Sequence, residues 1–192
     1  MTDVYQLRIS LLDAVPPIWR RVVVPGDTSL RYLHYLIQAA MGWQDYHLYE
    51  FAIDNDRYGE IDDDAPDYLK AAVDSTLTGV IRPPGSRFLY TYDFGDEWVH
   101  SLDVEAILPA EMVAECPACI DGARACPPED FGGAFTYSLW LRKMGGDSID
   151  QDDLDALEEY PGFDFDPEKF SAKMATRRMK RVATSGKYRT WH

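Results

Sequence analysis

The stretch FLYTYDFGDEWVHSLDVEAIL, Phe88–Leu108, decides the fold. Apolar and polar residues alternate in Phe88–Tyr92 and again in Glu97–Leu108, which is the period of a half-buried β-strand. The connection Asp93-Phe94-Gly95-Asp96 is short and contains glycine, as hairpin turns do. The stretch therefore predicts two antiparallel strands that pair with each other.

The residues before this hairpin predict three more strands and one helix. Val4–Leu12 and Ile18–Val24 have strand character, and two prolines force an extended turn between them. A helix follows, with Thr28 or Ser29 as its N-cap and a glycine as its stop. His47–Ile53 is the next strand. The apolar face of the helix consists of Leu30, Leu33, Ile37, Ala40 and Met41.

The residues after the hairpin predict a loop and then helices. Pro109–Gly133 lacks any period, and its cysteines and aromatic residues favour an ordered loop. Thr136–Met144 is the first helix, Ser148 begins the second, and Asp166 caps the third. With strands early and helices late, we predict an α+β fold: one domain with a mixed or antiparallel sheet, one helix between the early strands and a helical C-terminal part.

Composition favours a soluble protein of the cytoplasm. The 192 residues are enough for one core, and no apolar run is long enough to span a membrane. The N-terminus lacks the features of a signal peptide. Three cysteines are an odd number, which favours a reducing compartment. We therefore expect no membrane partner.

Charge divides the chain into an acidic body and a basic end. The net charge is −14, yet residues 171–192 carry seven Lys or Arg and no acid, so that residues 1–170 hold 12 basic and 33 acidic groups. We take 1–170 as the domain and 171–192 as a basic helix end and tail. Duplex DNA binding by the body is disfavoured. The tail could contact nucleic acid, or its cations could stabilise its own helix and pair with the body.

The hairpin is the first candidate site. A loop of two or four residues would place Asp93 across from Trp98 and diagonal to His100, as an acid/base pair or metal site beside an indole. A three-residue loop would instead place the tyrosines of the first strand opposite Trp98 and His100. That arrangement would form a polar-tipped aromatic core. In the structural interpretation of the hairpin, Asp93 and Asp96 serve the turn, and His100 is a half-buried residue whose hydrogen bonds are satisfied.

A second candidate is the loop Cys126–Gly133, in which two prolines and two glycines flank Glu129-Asp130. The two carboxylates suit a cation, an amine or the donors of a partner, or else they cap the next helix. His47 begins a strand and would meet His100 if their strands are neighbours. Both interpretations of the loop remain open from the sequence.

The cysteines are a third candidate. Cys116-Pro117-Ala118-Cys119, with Cys126 seven residues further on, offers three thiols, and structural zinc needs four ligands. His100 or His47 would have to complete such a site. We expect no cofactor, with zinc or another divalent metal as the alternative.

Four blocks of the chain carry a family resemblance: VPPIWRRVVVP, LHYLIQAAMGWQDYHLYEF, YTYDFGDEWVHSLDVE and CIDGARACPPEDFGG. Together they resemble the family named after the third open reading frame of plasmid pRiA4b, over roughly residues 3–170. The resemblance implies a compact α+β domain, often encoded on plasmids or near mobile elements, and no particular reaction. The matching positions are Trp19, Arg20, His47, Tyr92, Asp93, Gly95, Asp96, Trp98, His100, Pro127, Pro128, Glu129, Asp130, Gly132 and Gly133.

The chain departs from the family pattern at Phe131, where many relatives have cysteine, and Cys116 is additional. The departure argues against a shared cysteine–metal site unless Cys116 replaces the missing ligand.

Three hypotheses of function follow. The first is an accessory domain, associated with plasmids or mobile elements, that binds a small cationic or hydrogen-bond-donating ligand or a protein. Its acidic–aromatic pocket would be formed by Trp98, His100, Asp93 and the Glu129-Asp130 loop. The second is a metal-assisted hydrolase or nuclease, which requires three or more of five side chains to converge. The third is a nucleic-acid adaptor acting through Arg177–Arg189. The five side chains are those of His47, Asp93, His100, Glu129 and Asp130.

Overall fold

The computed structural model describes residues 2–81, 84–157 and 166–185, and in these residues an eight-stranded sheet forms the frame of the fold. Its strands are β1 (Val4–Leu11), β2 (Ile18–Pro25), β3 (Tyr49–Ile53), β4 (Asp56–Gly59), β5 (Leu69–Ala71), β6 (Arg87–Tyr92), β7 (Trp98–Leu108) and β8 (Ala118–Ala123). They lie in the order β5-β4-β3-β6-β7-β1-β2-β8. All pairs are antiparallel except β4 with β5. The predicted α+β class is confirmed.

The register of the β6–β7 hairpin settles the geometry that the sequence left open. Tyr92 pairs with Trp98 and Tyr90 pairs with His100. The connection between the strands has five residues, 93–97. The same side chains face each other as in the three-residue alternative, because both connections have an odd number of residues. Asp93 is therefore in the turn and not across from Trp98, because strand pairing ends at Tyr92.

Five α-helices and one 3-10 helix (Ala110–Met112) complete the described elements. The α-helices are α1 (Leu30–Met41), α2 (Leu77–Val80), α3 (Gly133–Met144), α4 (Gln151–Ala156) and α5 (Ala172–Thr184). The predicted boundaries of α1 are confirmed. The Ser29 hydroxyl accepts a hydrogen bond from the Tyr32 amide, and Gly42 ends the helix in the left-handed conformation at φ 111°. None of the described helices combines the length and the apolar character that a membrane crossing requires.

Two predictions about the C-terminal half are corrected by the structure. The expected loop Pro109–Gly133 contains β8, an edge strand that pairs with β2. The last helix begins after Ser171, whose hydroxyl faces the Met174 amide, so Asp166 caps only the short turn before it. The sequence of β8, ACIDGA, lacks strand alternation, and its position is fixed by its neighbours.

The second of the predicted C-terminal helices also has a different cap. Asp150 accepts the hydrogen bond from the Asp153 amide, in place of the expected Ser148. Phe165, expected to pack against Phe170 at the start of the last helix, lies outside the described residues.

The main core lies between the sheet and the helices α1 and α5. Arg20 of β2 is buried in this core with 1% of its surface exposed, and its guanidinium donates to the carbonyls of Trp19, Ala40 and Ala123. Arg178 of α5 donates to the carbonyl of Ala39 at 2.6 Å. Because both cations reach the C-terminal end of α1, they satisfy carbonyls that the helix itself leaves free.

Candidate functional site

The β6–β7 turn and the Cys126–Gly133 loop meet, so the two stretches that the sequence singled out form one site. The Gly132 amide donates to Oδ2 of Asp96 at 2.9 Å. Gly133 has φ 83°, and a Cβ placed on it would lie 2.6 Å from the Asp96 carbonyl oxygen. Only glycine allows this approach without displacement. Asp96 therefore joins the two segments, and burial raises the pKa of its carboxyl.

Glu129 is held in place by its own chain. The Tyr92 hydroxyl donates to Oε1 at 2.5 Å, and the Gln44 amide donates to Oε2 at 2.9 Å. The Trp43 indole donates to the Pro127 carbonyl at 2.9 Å. Burial, followed by the contact with Glu129, raises the pKa of Tyr92, so this hydroxyl stays a donor. Glu129 thus positions the loop.

His47, Asp93 and Asp130 form the chemical centre of the site. His47 Nε2 lies 3.0 Å from Oδ1 of Asp130 and 3.5 Å from Oδ2 of Asp93. Neither contact is a regular hydrogen bond, so the buried Nε2 atom has no hydrogen-bond partner among the described residues. One ligand atom from each residue lies within 4.8 Å of the other two. Within residues 2–81, 84–157 and 166–185, no other group of three or more His, Cys, Asp or Glu is arranged in this way.

Asp93 is oriented before any ligand arrives. Its Oδ1 accepts a hydrogen bond from the Gly95 amide at 2.9 Å, which turns Oδ2 toward His47. The Tyr92 hydroxyl accepts from the backbone amide of His47 at 3.3 Å and so fixes the start of the segment that leads into β3. The Asp93 side chain is 11% exposed, whereas that of Asp130 is 72% exposed. The site is therefore rigid on one side and open on the other.

A cavity of about 400 Å³ lies beside this centre, where the turn after α1 faces the Cys126–Gly133 loop. Trp43, Tyr46, Glu129 and Asp130 line it. Tyr46 and Phe94, the neighbours of His47 and Asp93 in the chain, are 67% and 54% exposed. The surroundings of the two aspartates are thus aromatic, but the rings are those of Trp43, Tyr46 and Phe94 and not that of Trp98, which the sequence suggested.

The structure does not bring every predicted site residue into this pocket. His100 and Trp98 are fully buried, and their ring nitrogens have no hydrogen-bond partner in the described part of the chain. Burial lowers the pKa of His100 to about 4, an effect that the nearby carbonyls of Trp98 and Tyr90 only partly oppose. His100 is therefore neutral at pH 7 and belongs to the core, which corrects the expectation of a half-buried residue with satisfied hydrogen bonds.

The cysteines do not assemble a metal site either. Cys119 belongs to the main core, while Cys116 packs with Val4 and Val23 in a separate small cluster. Burial raises the pKa of Cys116 and Cys119 to about 11 and that of Cys126 to about 12, although Cys126 as a whole residue is partly exposed. All three thiols stay protonated at neutral pH and act as apolar side chains.

Sequence reasoning missed the residues that hold the site together. The Trp43 indole and the Gln44 backbone amide fix the loop, and neither residue was singled out as a site candidate. His34 was assigned no role, yet its Nε2 lies 2.7 Å from Asp45 and its Nδ1 lies 2.8 Å from the Tyr90 hydroxyl. The available signal was the run GWQDYH, which begins at Gly42 and places polar and aromatic residues immediately after the end of the helix.

Comparisons with known proteins agree with the resemblance noted in the sequence. The sequence model of the plasmid pRiA4b ORF-3-like protein family matches residues 3–174. The uncharacterized protein y4hQ of Sinorhizobium fredii is 35% identical over 167 residues, which cover 86% of this chain and 85% of that protein. The crystal structure of MM3350, a protein of unknown function from Methanosarcina mazei Go1, superposes with a TM-score of 0.75 at 37% identity, covering 91% of this chain and 97% of that one. The chain therefore belongs to the plasmid pRiA4b ORF-3-like family.

Proposed function

We propose that this domain is an accessory binding module that holds one divalent cation between His47, Asp93 and Asp130. The observation that carries the proposal is the convergence of three ligand atoms, one from each residue, within 4.8 Å of one another. A cation between two carboxylates and an imidazole would offset the repulsion between the aspartates.

The donor set favours certain ions. Two carboxylate oxygens and one imidazole nitrogen suit Mn²⁺ or Zn²⁺ better than Ca²⁺, which takes oxygen ligands only. The turn amides that fix Asp93 and the tyrosine that fixes His47 reduce the entropy lost on binding. The exposed carboxylate of Asp130 would complete the coordination of the ion.

The aromatic surroundings indicate what the cation would recruit. Three protein ligands leave coordination positions free for water or for an oxygen of a partner molecule. Exposed Tyr46 and Phe94 flank the residues that supply two of the ligands. A small ligand with a carboxylate beside an apolar group would satisfy the open positions and cover the rings.

Catalysis by the same residues has less support. A metal-assisted hydrolase also needs a free acid or base beside the metal. Both oxygens of Glu129 are engaged by Tyr92 and Gln44, and His100 is buried away from solvent. The three converging side chains would all serve as metal ligands, and no acid or base among the five predicted residues is left over.

The adaptor hypothesis also has less support, because part of the basic segment already contacts the chain's own body. Arg178 donates to carbonyls of α1, and Lys180 pairs with Glu115. Arg189, the far end of the predicted nucleic-acid arm, lies outside the described residues.

Calorimetric titration of chelator-treated protein with Mn²⁺ and Zn²⁺ tests the proposal. We expect one saturable site, and we expect Asp130→Asn to weaken binding at least about tenfold, because it removes a charged ligand from an exposed position that folding does not need. Bound Mn²⁺ should also broaden the NMR signals of the His47 ring and the Asp93 amide.

Asp64→Asn is the matched control, since it removes the same charge from the exposed connection between β4 and β5. Its affinity should equal that of the natural sequence. Equal affinities of the Asp130 and Asp64 variants, or no saturable binding at all, would refute the proposal.

A further inference from the structure

A groove of about 700 Å³ runs between α5 and the segment 112–120, apart from the cation site. Its floor is apolar and comes from Val23 of β2, Leu108 at the end of β7 and Ala118 of β8. Met112 and Ile120 stand at its edge and are 73% and 48% exposed. A groove of this volume and lining has the size and character of a small-molecule site.

One wall of the groove is positively charged. Lys173 and Arg177 are one turn apart on α5, both are exposed, and both line the groove. Within the described residues neither makes an ion pair, and the recorded polar contact of Arg177 is with the Met174 sulfur at 3.7 Å. Lys180, one turn further on, pairs with Glu115 across the groove. Two cations are therefore left without an acidic partner beside an apolar floor.

These two cations lie one turn apart on a strongly acidic molecule. Residues 1–170 carry 33 acidic and only 12 basic groups. Many other basic side chains of the described body are paired, as Arg21 is with Glu105 and Arg124 with Glu168. Because Lys173 and Arg177 lie together beside an apolar groove, they can bind a negatively charged group that comes from outside the chain.

We infer that this groove binds a small amphipathic anion: an aliphatic carboxylate of the fatty-acid type. Its chain would lie on Val23, Leu108 and Ala118, and its carboxylate would meet Lys173 and Arg177. A guanidinium can bind both oxygens of a carboxylate, and the ammonium adds a second charge contact. A long polyanion fits less well, because the acidic body around the groove repels every charge beyond the first.

Calorimetric titration with decanoate, kept below its micelle-forming concentration, tests the inference on the full chain. Decanoate should bind at one saturable site. Acetate, which has the charge without the chain, and decyltrimethylammonium, which has the chain with the opposite charge, should each bind at least about tenfold more weakly. If acetate binds as tightly as decanoate, the apolar floor plays no part and the inference fails.

Variants locate the binding. Lys173→Gln combined with Arg177→Gln should weaken decanoate binding about tenfold or more. The matched double variant Lys169→Gln with Arg181→Gln removes the same charge from exposed positions that do not line the groove, and it should bind normally. Ala114→Trp keeps both cations but fills the groove, and should abolish binding.

Three results would overturn the inference: no saturable binding, equal weakening by the two double variants, or undiminished binding in Ala114→Trp. None of these results bears on His47, Asp93 or Asp130, so failure here is distinguishable from failure of the cation site.

Discussion

At the scale of single residues, two histidines that the sequence offers as one candidate pair have opposite environments. His47 is 30% exposed and lies between two carboxylates. His100 is fully buried, with both ring nitrogens free of hydrogen-bond partners in the described residues. An unpartnered buried imidazole costs stability, and the cost grows when the ring must take up a proton.

Replacing His100 by leucine should change how stability depends on pH. The folded pKa is about 4, below the value of about 6.5 in an unfolded chain, so the unfolded state binds the extra proton as the pH falls between these values. The contribution of His100 therefore lowers the free energy of unfolding of the natural protein by about 3 kcal/mol between pH 6.5 and 4. At pH 7.5 the His100→Leu variant should be at least as stable as the natural protein. As the pH falls, the difference between their free energies of unfolding should grow in favour of the variant.

Urea denaturation at several pH values measures this difference. The variant keeps His34, which is also buried and whose pKa burial also lowers, so the variant should keep a smaller pH dependence. Parallel stability curves for the two proteins would contradict the assignment of His100 to the closed core.

At the scale of elements, the outer edge of β8, which pairs with β2 on its other side, is contacted by a side chain of α5. The Thr176 hydroxyl donates to the Cys119 carbonyl at 2.9 Å and accepts from the Cys119 amide at 3.0 Å. These are the backbone groups of β8 that point away from β2 and would otherwise be unsatisfied. At this point Thr176 therefore forms the hydrogen bonds that a further strand would otherwise form with the edge of the sheet.

Thr176→Val keeps the shape of the side chain and removes both hydrogen bonds. We expect the free energy of unfolding to fall by about 1–3 kcal/mol, because two buried backbone groups lose their partners. Thr184→Val, on the same helix but exposed, is the control and should change stability by less than about 0.5 kcal/mol. Similar losses in the two variants would argue that helix propensity, and not the edge contact, is responsible.

A comparison of β8 with the other elements shows which parts of the fold can be predicted from the sequence. Strands β1, β2, β6 and β7 and helix α1 were predictable, because alternation, helical period and the cap at Ser29 all agree there. Strand β8 was not predictable, since Cys119 is placed by Thr176, a residue 57 positions away. Likewise Asp166 has the right local chemistry for a cap, and the packing of α5 on β8 and α1 decides where the helix begins.

At the scale of the whole molecule, the candidate site depends on contacts between distant segments. The sequence left open whether Asp93 lies near His100, because the length of the turn decides which side chains face each other, and the observed turn directs Asp93 toward His47. It identified Glu129 as a binding group, and the structure uses Glu129 for positioning. Local patterns thus indicated candidate site residues and could not predict which of their side chains meet.

Gly133→Ala should disturb this long-range arrangement. The new Cβ would press on the Asp96 carbonyl and separate the β6–β7 turn from the loop. Gly146→Ala is the matched control, because Gly146 has φ 84° and open space around it, so it carries only the backbone strain of roughly 1–2 kcal/mol. Gly133→Ala should lower the free energy of unfolding by more than Gly146→Ala does, and it should also weaken Mn²⁺ binding. Equal effects of the two substitutions would mean that the close approach at Asp96 is unimportant.

The contact between Asp96 and Gly132 also has a consequence for the order of folding. It joins residues 36 positions apart, and the Trp43–Pro127 bond joins residues 84 positions apart. Contacts this distant in the chain form slowly, after local structure is in place. A refolding chain would therefore acquire its affinity for the cation only when the sheet, the hairpin turn and the 126–133 loop have all closed. The recovery of Mn²⁺ affinity during refolding would then mark one of the last steps on the path to the native state.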